Sequence, residues 1–247
     1  MSLLAAFQFL TILPVKGNFS AQQVGRSAVY FPIVGVVIGL ILAAINYVFS
    51  LILPSTLVVV LLVAAMAVLS GALHLDGLAD TLDGMAGHRT AEERLEIMRD
   101  SRIGGFGAIG VALFLLVEYV ALNSIPGDMR MYILILAPTL SRWAMVNAIF
   151  VFPYARPSGL GRAFKSAVGW PQFIIATAFS LIVSGVLFRL AGLAIMAGVW
   201  VITVLVSVYL KRQLKGLTGD TYGALNEVAT VSALLVVTML AFKHWLI

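Results

Sequence analysis

Hydrophobic positions along this chain come in long unbroken blocks, and the polar positions gather between them. A block of about 20 apolar residues crosses a bilayer as a helix, and helices satisfy every backbone hydrogen bond within the segment, which lipid demands. The blocks predict spans from Tyr30 to Leu53, Thr56 to about Leu75, Gly107 to Ile125, Met129 to Phe152 and Asp220 to Leu246. Phe173 to Leu210 is long enough for two more, broken near Arg189 to Gly192. Met1 to Leu13 is apolar but too short to span; without a basic start or a small-residue cleavage site it is not a signal peptide. It predicts an interfacial or re-entrant helix ending at Pro14. Lys16 to Arg26 is polar, and the basic, glycine-containing stretch Pro153 to Pro171 reads as a loop. Gly35 and Gly39 give the first span a small-xxx-small face for close packing, and Pro138 marks a bend in the fourth. The expected fold is all-α: a polytopic integral membrane bundle of about seven transmembrane helices (six to eight) with short interfacial helices, one domain over residues 1–247.

Composition agrees with this. The chain is 61% hydrophobic and 11% charged, against about 25% charged residues in soluble domains. It has no cysteine, so disulfides, thiol nucleophiles and Cys-ligated metals are excluded. The net charge of +5 would suggest nucleic acid in a soluble protein; here loop bias explains it, because cationic residues accumulate on the cytoplasmic side, and no nucleic-acid partner is expected. Twelve Lys and Arg residues fall on one side of the predicted spans and three (Arg130, Arg189, Lys243) on the other, with Arg142 inside a span. The N-terminus, the segment around Arg89 to Arg102 and the Lys211 to Lys215 cluster are therefore expected on the cytoplasmic side.

Chemistry concentrates between Gly71 and Gly107, which holds seven of the eleven acidic residues. Carboxylates beside membrane spans are costly and mark function. If the segment is helical, Asp76, Asp80 and Asp83 stand at i, i+4 and i+7, within roughly 60° of one another on one face. Such carboxylates repel unless a cation sits among them, and an oxygen-only donor set suits Mg²⁺ or Mn²⁺. A second pair, Asp220 and Glu227, shares a face of the last span; Asp220 also fits as an acid answering the helix dipole. Both stripes together could hold one or two divalent ions, with Asp100 in reserve as a ligand or else a cap or a partner of Arg99 or Arg102. Thr90-Ala91-Glu92-Glu93 is a capping-box pattern opening a short amphipathic helix whose apolar edge is Leu95, Met98 and Ile103.

Arg99, Arg102 and Arg142 are candidates for binding substrate phosphate. Arg142 lies mid-span, where arginine is costly; the other reading pairs it with Glu118 or Glu227. His74 projects roughly opposite Asp76 around the helix and suits packing or hydrogen bonding rather than ligation; His88 and His244 carry less. Acids, arginines and a divalent cation on one membrane face read as phosphoryl or nucleotidyl-phosphate transfer.

The segments GALHLDGLADTLDG, RLEIMRDSRIGGFG and TGDTYGALNE, with FQFLTILPV, YFPIVGVVIG, LAPTLSRWAM and FPYARPSGLG, resemble the cobalamin synthase (adenosylcobinamide-GDP ribazoletransferase) family along the whole chain. The resemblance implies a Mg²⁺-dependent transferase of cobalamin biosynthesis in the inner membrane of a prokaryotic cell. A ribose hydroxyl of alpha-ribazole, or of its 5′-phosphate, would attack the phosphorus on the aminopropanol arm of adenosylcobinamide-GDP, and GMP would leave. Asp76, Asp80 and Asp83 would be catalytic, with Asp83 the base, and the lipid bilayer or identical chains the other partners. Asp80-Thr81-Leu82-Asp83-Gly84 also resembles the Asp-x-x-Asp-Gly core of CDP-alcohol phosphotransferases, but that family expects Ala-Arg where Gly87-His88 stand. A cation- or proton-coupled transporter would place polar groups near the midplane between repeats; here the acids cluster at one face and no repeat is visible.

Overall fold

The computed structural model describes residues 2–100 and 102–243; His244 and the predicted last residues of the final span lie outside them. Among the described residues eleven α-helices form and no strand does. In chain order they are α1 Ser2–Leu10, α2 Ala21–Arg26, α3 Phe31–Ser50, α4 Ser55–Leu69, α5 Leu73–Met85, α6 Ala91–Ile97, α7 Gly105–Ser124, α8 Gly127–Val151, α9 Leu160–Ala167, α10 Trp170–Leu214 and α11 Gly219–Phe242.

α8 is the central helix: seventeen of its twenty-five residues are buried, as expected of a helix enclosed on every side. α3 packs closely on it. A Cβ on Gly35 would strike the backbone of Pro138 and Thr139, and one on Gly39 that of Ile135, so the small-xxx-small face is used as predicted. α7, by contrast, buries only Gly107, Glu118, Ala121 and Leu122 and turns Leu113, Leu116 and Val120 outward, the pattern of a helix facing lipid.

Four features depart from the sequence reading. The second span does not run to Leu75. It ends at Leu69, where Gly71 (φ 60°) and Ala72 (φ 55°) adopt left-handed backbone and the chain bends by 86° into α5. The polar stretch before the first span contains α2, which begins at a Ser20 capping box and passes through a 3₁₀ turn into α3. The basic loop after α8 contains α9, whose Lys165 Nζ donates to the carbonyls of Ile149 and Phe150 at 3.0 and 2.8 Å, completing the end of α8. Ile103 is exposed and does not join the edge of α6; Met98 does, and the remaining buried side chain there is Arg94.

By length and hydropathy five helices can cross a membrane, six with the bent α4–α5 pair. The 45-residue α10 contains a reversal. Arg189 has φ 51° and ψ −132°, a Cβ on Gly192 would meet the Ser184 backbone, and Ser184 Oγ lies 3.9 Å from Met196 Sδ. Residues twelve apart would be about 18 Å apart along a continuous helix. α10 is therefore a helical hairpin of two passes, which brings the count to the seven predicted. Both its ends lie by the C-terminal end of α8: Trp170 packs on Phe150 in its last turn at 4.8 Å, and Leu217, just past α10, exchanges backbone hydrogen bonds with Pro153 and Ala155 at 2.8 Å.

Candidate active site

All three stripe aspartates lie in α5, and that helix is held to α11 by a glycine crossing. A Cβ on Gly77 would meet the Asp220 carbonyl oxygen at 2.7 Å, and one on Gly223 would meet His74 backbone at 3.3 Å. The glycines of HLDGLAD and TGDTYG thus bring Asp76 and Asp80 beside the first turn of α11, where Asp220 sits behind the capping box of Thr218. Asp76, Asp83 and Asp220 all act on the Asp80 carboxyl with like charge, and Arg156 with opposite charge.

The three aspartates differ in what they hold. Asp83 accepts the Gly104 N–H at Oδ2 (2.7 Å) and the Gly107 N–H at Oδ1 (2.8 Å), capping the start of α7 where a carboxylate is favoured. Gly104 and Gly107 are glycines because a Cβ at either would enter this carboxylate. Each of its oxygens thus carries one backbone donor, a structural task that the reading of Asp83 as the base does not include. Asp76 is exposed and Asp80 half-buried, and neither carboxylate has a hydrogen bond or ion pair among the described residues.

Asp220 Oδ2 is paired with Arg156 at 2.8 Å and accepts the Thr218 hydroxyl at 3.4 Å. The Arg156 guanidinium also donates to the Met98 carbonyl at 3.3 Å. Arg156 belongs to the FPYARPSGLG motif, but its partner is far along the chain and no spacing rule announces it. Arg94 is the second functional-looking arginine that the pattern missed. It donates to the carbonyls of Gly84 and Gly87 at 2.8 and 3.0 Å and so ties α6 beneath the end of α5.

Other predicted residues fall elsewhere. Arg102 is exposed and forks onto Asp100 at 2.6 to 3.1 Å; that hydrogen-bonded cation holds the Asp100 carboxyl down at about 2, and Asp100 is a partner for arginine rather than a reserve ligand. Arg99 is exposed. Arg142 is 1% exposed and donates to Ser141 Oγ at 3.1 Å. It lines a small internal cavity with Glu118, Asn226 and Glu227, one or two turns deeper than Asp220, and makes no ion pair within 4 Å among the described residues. Glu227 is hydrogen-bonded by the Asn226 amide at 3.2 Å. Neither Arg142 nor Glu227 reaches the cavity beside Asp76.

That cavity, about 270 Å³, opens between α5, α11, α1, α3, α8 and the α8–α9 loop. Asp76, Asp220 and Arg156 are among its lining residues, with Phe9, Phe31, Phe164, Tyr154, Tyr222 and His74. Burial pushes the Tyr154 phenol above its ordinary range.

The described residues contain no group of three or more His, Asp or Glu arranged to hold a metal ion, so the five-ligand cluster Asp76, Asp80, Asp83, Asp220 and Glu227 is not assembled. Mg²⁺, however, is commonly held by one or two carboxylates together with substrate phosphate and water rather than by a protein cage. Asp76 and Asp80, one turn apart and unpartnered, fit that mode.

Comparison with known proteins agrees with the motifs. The family model described as Cobalamin-5-phosphate synthase matches residues 2–238. An adenosylcobinamide-GDP ribazoletransferase of Roseiflexus sp. (strain RS-1) is 44% identical over 96% of this chain and 88% of its own. Proteins of the same name from Geotalea daltonii and Herpetosiphon aurantiacus are 37% and 41% identical, covering 93% and 95% of this chain and 94% and 95% of theirs. No solved structure gives a significant match. The chain belongs to the Cobalamin-5-phosphate synthase family.

Proposed function

We propose that this protein is an adenosylcobinamide-GDP ribazoletransferase. It joins alpha-ribazole, or its 5′-phosphate, to adenosylcobinamide-GDP and releases GMP, with its site on the cytoplasmic face of a prokaryotic inner membrane. A ribose hydroxyl forms a new O–P bond at the phosphorus bearing the aminopropanol arm, the P–O bond to GMP breaks, and the hydroxyl proton passes to a carboxylate. The observation that carries the reading is the unpartnered Asp76–Asp80 pair beside Asp220 and Arg156, in a chain of this family.

Asp80 takes the role of base, since it is half-buried and its oxygens are free, whereas those of Asp83 are bound by backbone donors. Arg156, on the wall of the cavity, presents the planar fork that suits phosphate. Exchanging Asp220 for a phosphate oxygen would let it stabilise charge on the leaving GMP. Asp76 and Asp80 would hold Mg²⁺ with the diphosphate, where the ion supplies charge neutralisation.

The test is GMP release that requires both adenosylcobinamide-GDP and alpha-ribazole. Asp76→Asn and Asp80→Asn should each lower turnover at least about 10²-fold, the scale of losing one oriented electrostatic group, while membrane insertion and Tm stay as in the parent. Parental rates in both variants would overturn the assignment.

A further inference from the structure

Tyr154 lines the cavity beside Asp76, Asp220 and Arg156 and has no part in the chemistry above. It stands two residues before Arg156, on backbone tied to the segment that leads into α11. The Leu217 N–H donates to the Pro153 carbonyl and the Ala155 N–H to the Leu217 carbonyl, both at 2.8 Å. Tyr154 is thereby bracketed as an extended bridge opposite Leu217, and side chains two apart on extended backbone share a face. The phenol therefore stands on the side where Arg156 meets Asp220, and the charges of both act on it. Glycine makes the arrangement possible. A Cβ on Gly216 would lie 2.8 Å from the Ala155 nitrogen, and one on Gly161 would lie 2.6 Å from the Tyr154 phenol oxygen. The neighbouring Tyr222 phenol is sealed within the packing, whereas Tyr154 is partly exposed and its O–H donates to no acceptor among the described residues. Burial holds that phenol above its ordinary range, so at neutral pH it keeps its proton and serves as a donor, not as a base.

We propose that Tyr154 is a further catalytic residue, whose O–H donates to a non-bridging oxygen of the leaving GMP phosphate beside the Arg156 guanidinium. This rests on the ribazoletransferase reading and adds a neutral donor to its cation. Once phosphate takes the place of Asp220 on Arg156, the phenol on the same face has an acceptor for the proton it otherwise leaves unused. Charge builds on that phosphate as the P–O bond to GMP breaks, and a donor already fixed in place stabilises it without reorganising. The fixing comes from the backbone bonds that hold Tyr154 and Arg156 to the residue before the α11 cap. The other reading gives Tyr154 a packing role alone, its ring 6.3 Å from that of Tyr222. A phenylalanine would fill that role equally well, because packing uses the ring and not the hydroxyl.

The experiment compares steady-state GMP release by the detergent-solubilised full chain, parent and Tyr154→Phe, with adenosylcobinamide-GDP and alpha-ribazole varied in turn. The variant removes one oxygen and keeps the ring. It should lose about 10- to 100-fold in kcat/KM for adenosylcobinamide-GDP, the scale of one hydrogen bond to a charged group. Its KM for alpha-ribazole should stay within about twofold of the parent, and its Tm should be parental. Equilibrium dialysis of GMP against both proteins reads the same contact without turnover, and the variant should bind GMP about 3- to 10-fold more weakly. A parental kcat/KM for adenosylcobinamide-GDP would overturn the proposal. So would a loss confined to the KM for alpha-ribazole, or a fall in Tm large enough to account for the lost rate, since either gives Tyr154 another task. Should the parent release no GMP with both substrates present, the transferase reading fails instead. Dialysis then decides for Tyr154 by itself: weaker GMP binding to the variant upholds the phosphate contact, and equal binding removes it.

Discussion

Asp76 and Asp83 stand two turns apart on one face of α5, yet the structure gives them different work. Asp83 caps α7 through Gly104 and Gly107; Asp76 holds nothing within the chain. Asp83→Asn keeps one acceptor oxygen and turns an amide toward an N–H donor, so it should cost about 1–2 kcal/mol of stability, seen as a lower Tm in detergent. Asp76→Asn should cost rate without Tm. The opposite pattern would return Asp83 to the chemistry. Arg142 is enclosed with Glu118 and Glu227 around one cavity, a place that predicts a part in stability rather than in phosphate binding. Arg142→Met removes the cation enclosed with these two buried acids and should lower the Tm in detergent. Arg142→Lys keeps the charge and should leave turnover within about threefold, whereas a group aimed at the transition state would lose about 10²; thermal melts and GMP release on the same preparations decide. The aspartate stripe was legible because helical spacing alone places residues on a face. What each aspartate touches was not, since Gly104, Gly107, Arg156 and Asp220 meet only through tertiary packing.

Among the elements, α6 was readable from its ends: Thr90 and Glu93 form the capping box their spacing announces, with hydrogen bonds of 2.8 and 3.3 Å. The end of α4 was not, because Ala72 is a residue ordinarily at home in a helix and here adopts φ 55°. Hydropathy runs on through this point, so the pattern predicts a continuous span while the backbone turns by 86°. The turn matters to the site, because it lets α5 cross α11 at Gly77 rather than run on along the line of α4. α9 escaped notice because its eight residues have too few apolar positions for a span and sit between prolines and glycines that suggest a loop. The α5–α11 crossing gives a sharp expectation. Gly77→Ala puts a methyl against the Asp220 backbone, and such overpacking costs about 1–3 kcal/mol. Because the same contact sets the separation of Asp76 and Asp220, turnover should fall by more than the loss of folded protein explains. Specific activity normalised to the monodisperse fraction measures this, and a parental value would show that the crossing tolerates widening.

At the scale of the molecule, the fold sorts charge by end. The turns near Ser50 to Ser55 and Ser124 to Gly127 meet at one end, where Arg130 donates to Ser55 Oγ at 2.9 Å and Tyr132 packs on Phe188 at 6.1 Å. The opposite end collects α1, α2, α6, α9, the aspartates and the start of α11, with twelve of the sixteen Lys and Arg residues. Positive charge favours the cytoplasmic side, so this end should face the cytoplasm. The prediction includes the reversal in α10. Forty-five residues as one straight helix would span about 67 Å, more than twice a hydrocarbon core of about 30 Å, and would put residues 166 and 212 on opposite faces. A hairpin turning at Arg189 puts both on the aspartate side. Because the chain has no cysteine, exposed positions can be probed one at a time with an impermeant maleimide on intact spheroplasts. Glu96→Cys, Ser166→Cys and Arg212→Cys should label only after permeabilisation, and Ser124→Cys from outside. Labelling of the Glu96 variant from outside would invert the orientation. Opposite behaviour of the Ser166 and Arg212 variants would mean that residues 170–214 cross only once, and the site would then lose one of the two helix ends that hold the α8–α9 connection, and with it Arg156, against Asp220.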